Sequence, residues 1–297
     1  MSGAWRAAGL RWPGGAPALQ WLSGDGSRVR TRASELVYGR ELAFRAVGGR
    51  YCPGARGNVC PLGAVVAGRS TGGQCPECAR LDRAHSVAAD TFDDPRPYRV
   101  YLAWFGPGLV KVGITAEARG SARLLEQGAV TFSWLGRGPL MAARRTEEVL
   151  RTALGVPDRI PYERKRAVRT ALPPRGERAA EVGALHVRAV ALEAWPQTLE
   201  RAGFGAVDHA DAFGLDGLGP ATGVVGELVD GGHVAGRLVA AAGPDLHLAT
   251  ADGGLVVLDT RLMSGWELVS SDPGGALTVP VRELRADVVP TGQDGLF

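Results

Sequence analysis

Apolar residues in this chain come in short runs of three kinds. Between residues 17 and 50 the runs PALQWL, LVYG and LAFRAV are separated by GDGS and GG, which predicts a small antiparallel sheet. Residues 98–115, YRVYLAWFGPGLVKVGIT, read as two strands joined by a turn at Gly106–Gly108. The pattern then changes period. In PLMAARRTEEVLRTAL, residues 139–154, Leu140, Ala143, Leu150 and Leu154 fall on one helical stripe. A charged, proline-bounded stretch (PYERKRAVRTALPPRGER) predicts a helix leading into a linker, and residues 180–202 are helical in part. Past Gly205, β-branched and leucine runs recur every eight to ten residues among Gly and Asp, the texture of a small β-barrel or sandwich.

The expected fold class is therefore α+β. It divides into an N-terminal β region with a cysteine module (residues 1–94), a central α/β unit with a small three-stranded sheet (95–170), a helical linker (171–204) and a β-rich tail (205–297). A length of 297 residues is enough for two or three such units. No window carries the eighteen or more apolar residues of a membrane helix. Gly and Pro interrupt any signal-like run near the start, so a cytoplasmic protein with no membrane partner is expected.

Net charge is +3, but unevenly placed. Residues 1–94 carry +4, residues 95–170 carry +8, residues 171–204 balance, and residues 205–297 carry −9. The basic centre is where a phosphate-bearing partner would sit, and the acidic tail argues against contact with one. A solvated arginine-rich face accounts for the charge alone equally well. Arginine outnumbers lysine 32 to 2, a compositional habit of the chain.

Cys52, Cys60, Cys75 and Cys78 follow C-x7-C-x14-C-x2-C, with Cys-Pro-Glu-Cys as the tight pair. A CxxC turn puts two thiolates on one side of a metal, and a second pair closes a tetrahedron, the arrangement of a structural Zn2+ site. A redox CxxC pair and unrelated buried thiols are the alternatives. Four thiolates leave no open coordination position, so the ion would hold the fold together. Nearby His85 reads as a surface histidine. His186, His209, His233 and His247 are scattered singly, and Asp208, Asp211 and Asp216 lack calcium-loop spacing. Trp134, Trp195 and Trp266 read as core residues. No Walker loop or G-x-S-x-G elbow is present.

Arg99-Val100-Tyr101 on one predicted strand and Lys111-Val112-Gly113 on the next resemble the two halves of a GIY-YIG nuclease domain, over about residues 97–160. VYLAWFGPGLVKVGIT, the R-x-x-E-Q-G-A stretch at Arg123–Ala129 and the upstream cysteines together resemble, over most of the chain, a bacterial family known only as a domain of unknown function. The GIY-YIG resemblance implies phosphodiester cleavage in nucleic acid, DNA or RNA, with a catalytic Mg2+ or Mn2+. Tyr101 matches the first tyrosine. Arg123 heads the R-x-x-E-Q-G-A stretch and is the preferred arginine, although Arg119 lies nearer the usual spacing. Glu147 is the only charge on the stripe formed by 140, 143, 147, 150 and 154, so it is preferred over Glu148 as the metal-holding glutamate. Arg99, Gly113, Arg119 and Gln127 are the expected substrate-binding neighbours.

Lys111 stands where the family has its second tyrosine. An ammonium can bind phosphate, or act as a base if its pKa falls, but it cannot do a phenol's work. Two rivals therefore stand beside the nuclease: a non-catalytic nucleic-acid-binding module, and an enzyme acting on a small molecule or an aminoacyl-tRNA.

Overall fold

The computed structural model describes residues 4–24, 29–84 and 94–284. His85 lies outside them. The first strands are β1 (Arg6–Arg11), β2 (Ala18–Gly24), β3 (Val29–Glu35) and β4 (Glu41–Val47), followed by helix α1 (Pro76–Ala84). The centre runs β5 (Tyr98–Trp104), β6 (Val110–Ala116), α2 (Ala122–Gln127), β7 (Thr131–Gly138), α3 (Leu140–Leu154), α4 (Tyr162–Val168) and α5 (Arg175–Val190). Then come β8 (Glu200–Arg201), β9 (Val207–Asp208), α6 (Ala210–Phe213) and β10 (Gly223–Val225). The chain closes with β11 (His233–Ala242), β12 (Asp245–Ala249), β13 (Leu255–Asp259), β14 (Glu267–Ser270) and β15 (Val281–Glu283). The fold is mixed α+β, and no helix among the described residues is long and apolar enough to cross a membrane.

The strands form two sheets. The smaller runs β6-β5-β7-β8, with β9 also on β7. Residues 98–115 supply β5 and β6, the two strands expected there, with β7 pairing on the other side of β5; the sheet has five strands where three were expected. Alternation along β5 shows why it reads as a nearly continuous apolar run: both faces are covered. Val100, Leu102 and Trp104 join the main core with Leu140 and Leu150 of α3 and Val182 of α5. Tyr101, Ala103 and Phe105 pack on the other face with Leu124, Phe132 and Ile160. Truncating Leu150, fully buried, to Ala costs about 2–5 kcal/mol by analogy with other core leucines.

The larger sheet has ten strands in the order β15-β10-β13-β12-β11-β4-β14-β1-β2-β3. Its two ends are different strands, so among the described residues it is open, and no closed barrel forms past Gly205. The N-terminal and C-terminal strands, expected in separate units, belong to this one sheet. β4 pairs with β11 through Phe44↔Val234 and with β14 through Ala46↔Leu268. The reason is burial: Phe44, Ala46, Val234 and Leu238 are all core residues, and neither set covers its own apolar face alone.

Within residues 171–204, expected as a helical linker, Pro174 stands at the N-cap and α5 starts at Arg175. It buries Val182 and Ala189 and fixes Trp104 through Glu181, whose carboxylate accepts the indole N–H at 2.6 Å. The two sheets are joined by buried charge. Arg166 donates to Asp245 and Asp259, and Arg169 donates to Asp245 at 2.5 Å, with Asp245 wholly buried. Arg50, 1% exposed, donates to the carbonyls of Ala67, Ser70, Arg261 and Ser264, and so ties the segment after β4 to the large sheet. His186, His209 and His233 are buried against main-chain carbonyls, as core polar groups must be.

Candidate functional site: a four-thiol cluster and a basic cleft

The sulfurs of Cys52, Cys60, Cys75 and Cys78 all lie within 4.8 Å of one another. A tetrahedral zinc with Zn–S bonds of about 2.3 Å needs sulfurs about 3.8 Å apart. Cys60 and Cys75 stand at 3.8 Å. All four cysteines are free thiols. The main-chain N–H groups of Gly54 and Cys75 point at the Cys52 sulfur, at 3.4 and 3.2 Å. Burial raises the Cys60 thiol, but the N–H groups of Ala64 and Leu62 pull it down more, to about 7. Amides aimed at sulfur stabilise thiolates, the form that binds metal. The cluster can hold one metal ion such as zinc, with no ligand position left for chemistry.

The second site is an open cleft of about 1140 Å³ beside the small sheet. Tyr101, Lys111, Gly113, Arg119, Arg123, Gln127 and Glu147 all line it. Seven of the eight candidate residues drawn from the central segment are thus brought together. Arg99 is the exception: it is not among the lining residues, and its guanidinium donates to Glu117 at 2.8 Å while lying over the Trp134 ring. Glu117 also accepts from Arg137, so Arg99 belongs to a rim ion-pair network.

Strand register explains the floor of the cleft. Tyr101 pairs directly with Gly113, and Ala103 with Lys111. A Cβ on Gly113 would stand 2.4 Å from the Tyr101 hydroxyl, so the second motif carries glycine because the tyrosine ring lies across it. Tyr101 is 1% exposed, and its hydroxyl accepts a hydrogen bond from Gln127 Nε2 at 2.9 Å. Burial raises its pKa, so the phenol stays protonated.

Gly155, in the left-handed region at φ 66°, ends α3 and turns the chain back along β6. The Pro157 carbonyl then accepts from the N–H of Val112, and the Asp158 carbonyl accepts from Lys111 Nζ at 3.0 Å. Lys111 lies 5.9 Å from the centre of the Tyr101 ring. Burial, then the positive charge of Arg123, brings its pKa down to about 8. Glu147 moves the other way: burial raises its pKa, and Lys111 partly offsets that through space. On the same helix Glu148 is exposed and paired with Arg151 at 2.6 Å, the plain surface role expected of it.

Arg119 and Arg123 share one carboxylate, Glu126, at 2.6 and 3.8 Å. Eight cationic side chains and three carboxylates line the cleft. Counting Asp94 and Glu126, which pair with Arg96, Arg119 and Arg123 from outside the lining, still leaves an excess of three positive charges. Such a surface attracts polyanions.

Sequence reasoning missed Lys165. It is 3% exposed, and its Nζ donates to the Gln127 carbonyl at 3.1 Å and lies 3.8 Å from the Phe105 ring centre. Burial brings its pKa to about 7. The scarcity of lysine in this chain was the signal that could have found it.

Fold and sites together define a mixed α+β protein with a four-cysteine metal-binding cluster and a separate basic cleft. Residues 39–268, most of the chain, match the family described as "Protein of unknown function (DUF2797)", and the chain belongs to that family. Neither a curated protein nor a solved structure matches it.

Proposed function

We propose that the cleft binds nucleic acid by its phosphate backbone and cleaves it with the help of a divalent metal, in the manner of a divergent GIY-YIG domain. The observation that carries this is convergence. A tyrosine from the first motif, the glycine of the second, two arginines and one helical glutamate meet in one basic cleft although they are spread over 47 residues.

The residues suit a hard cation. Glu147 sits on an otherwise apolar helical stripe, and burial makes its charge costly without a cation beside it. Mg2+ typically takes one or two carboxylates and fills its remaining positions with water and substrate phosphate. When bound at Glu147, the ion would supply charge to polarise the phosphate. The chain's own groups do the rest. Arg119 and Arg123 offer planar donors that match phosphate oxygens in pairs. Tyr101 is held by Gln127 and directs its phenol into the cleft as a neutral hydrogen-bonding group. Lys111 adds a positive charge beside the bound phosphate.

The test is an incubation of the full chain with Mn2+ and labelled single- and double-stranded DNA and RNA, beside Tyr101→Phe and Glu147→Ala. Cleavage that Glu147→Ala loses supports the hydrolytic reading. Cleavage that survives in both variants, or none at all, removes it. Lys111 in the place of a phenol favours a second reading, a cleft that holds nucleic acid without hydrolysing it. Steeply salt-dependent binding without scission would mark that outcome. Zinc at the four cysteines is part of the same proposal, as the ion that fixes the module joined to the large sheet by Arg50.

A further inference from the structure

Lysine is the rare cation of this chain, and the two lysines approach the hydrogen-bonded Tyr101–Gln127 pair from different elements, one at the Gln127 main chain and one at the Tyr101 ring. Lys165 reaches the Gln127 carbonyl from the buried side, while Lys111 stands on the open side, above the Tyr101 ring that Gln127 holds. Every other cation lining the cleft is an arginine. For gripping phosphate, arginine serves better, because its fork matches two oxygens at once. What arginine cannot do near neutral pH is shed a proton and attack as an amine, which lysine in a desolvated, cation-rich pocket can do. Lys111 has that setting. It is half-buried, Arg123 lies in the same cleft, and its Nζ donates to the carbonyl of exposed Asp158.

An amine in a phosphate-binding cleft meets a carbonyl in nucleic acid where a base has been lost and the sugar has opened to an aldehyde. We propose that Lys111 is an amine nucleophile for such abasic sites, forming an imine with the C1′ aldehyde and breaking the strand by β-elimination. This rests on the nucleic-acid reading of the cleft, but needs neither its metal nor its glutamate.

The chemistry balances without an oxidant or reductant. The lone pair of Lys111 Nζ adds to C1′, and loss of one water gives the imine. The C2′ proton passes to water in the open cleft, and its electron pair forms the C2′=C3′ double bond. The C3′–O bond breaks, and the phosphate leaves with the bonding pair as a 5′-phosphate end. Water then adds back to the imine, releasing the unsaturated aldehyde end and free Lys111. Arg119 and Arg123 hold phosphates flanking the lesion.

The experiment uses the full chain as purified, buffer without added divalent metal and a duplex containing one abasic site, with and without borohydride. Borohydride reduces an imine to a stable secondary amine, so the adduct runs as a covalent band, and peptide mass spectrometry locates it. The expected results are strand scission without borohydride and an adduct at Lys111 with it. Lys111→Arg keeps the charge and is expected to bind the duplex while losing both adduct and scission. Binding without an adduct overturns the proposal, as does an adduct that persists in Lys111→Arg or maps to the N-terminal amine. Mn2+-dependent cleavage of intact strands with no adduct overturns the amine and leaves the nucleic-acid reading standing. Failure to bind either intact or abasic duplex overturns both.

Discussion

The four-thiol cluster and the cleft are built on opposite electrostatic plans. At the cluster the groups face one another: amides point at the Cys52 sulfur, and the four sulfurs lie within 4.8 Å, close enough to share one ion. Once a metal sits there, nothing is left over. The cleft keeps an excess of positive charge, a half-buried glutamate that Lys111 only partly offsets and a lysine pushed toward losing its proton. A site that closes on itself contributes to stability. One that leaves charge unanswered in an accessible groove stores the means to bind something else.

That contrast can be broken most forcefully at the cluster. Cys52→Ser or Cys75→Ser is expected to release the metal and destabilise the chain by about 4 kcal/mol or more, the range reached when a metal site is lost. Metal content by mass spectrometry and hydrogen exchange over residues 50–84 check it; one zinc per wild-type chain and none in the variants is the expected result. If zinc is absent from the wild type, the cluster is not the closed site described.

Glu147→Ala is expected to lower cleavage at least about 100-fold while leaving the melting temperature nearly unchanged, because the group is tied into no packing or ion pair of consequence. Next comes Gly113→Ala, whose new methyl meets the Tyr101 hydroxyl at 2.4 Å. A destabilisation of about 1–3 kcal/mol in urea unfolding is expected, together with loss of activity, because the ring must move. Tyr101→Phe removes the hydrogen bond from Gln127 at a stability cost of about 1 kcal/mol, and with it the hydroxyl offered to substrate.

A further effect is read in pH. Lys111 and Lys165 fall from 10.5 to about 8 and about 7 in the folded protein. Between those values and 10.5 the unfolded chain holds the proton and the folded chain does not, so stability rises with pH across that window. Below about pH 7 both lysines are protonated in both states, and the dependence vanishes. Lys165→Met is expected to flatten the part that begins near pH 7, and a series of denaturant midpoints from pH 6.5 to 10 reads it. An unchanged slope would mean that Lys165 is not the desolvated amine described.

What the sequence disclosed was local. Four cysteines announce a cluster by spacing alone, a glutamate on an apolar stripe is visible at helical period, and the Gly106–Gly108 turn fixes which strand residues face each other. From these, most of the cleft followed. Long-range pairing did not: β4 and β11 are some 190 residues apart, and no local signal says that their apolar faces need each other. The rim position of Arg99 was hidden for a related reason, since a strand residue's side-chain partners depend on its neighbours, here Glu117 and Trp134. Nor could spacing show that the bland PPRGER stretch holds the start of a helix that covers the small sheet.

The most direct test is the salt dependence of binding. Affinity for a labelled duplex and a labelled single strand is measured from 50 to 300 mM salt for the wild type and for Arg119→Gln/Arg123→Gln. If the cleft grips phosphates, log K falls steeply with log salt in the wild type, and the slope flattens by about 2 for a duplex in the double variant, about 0.9 for each contact removed. No binding at 50 mM salt, or a slope that the two substitutions leave unchanged, would contradict the assignment of this cleft to nucleic acid.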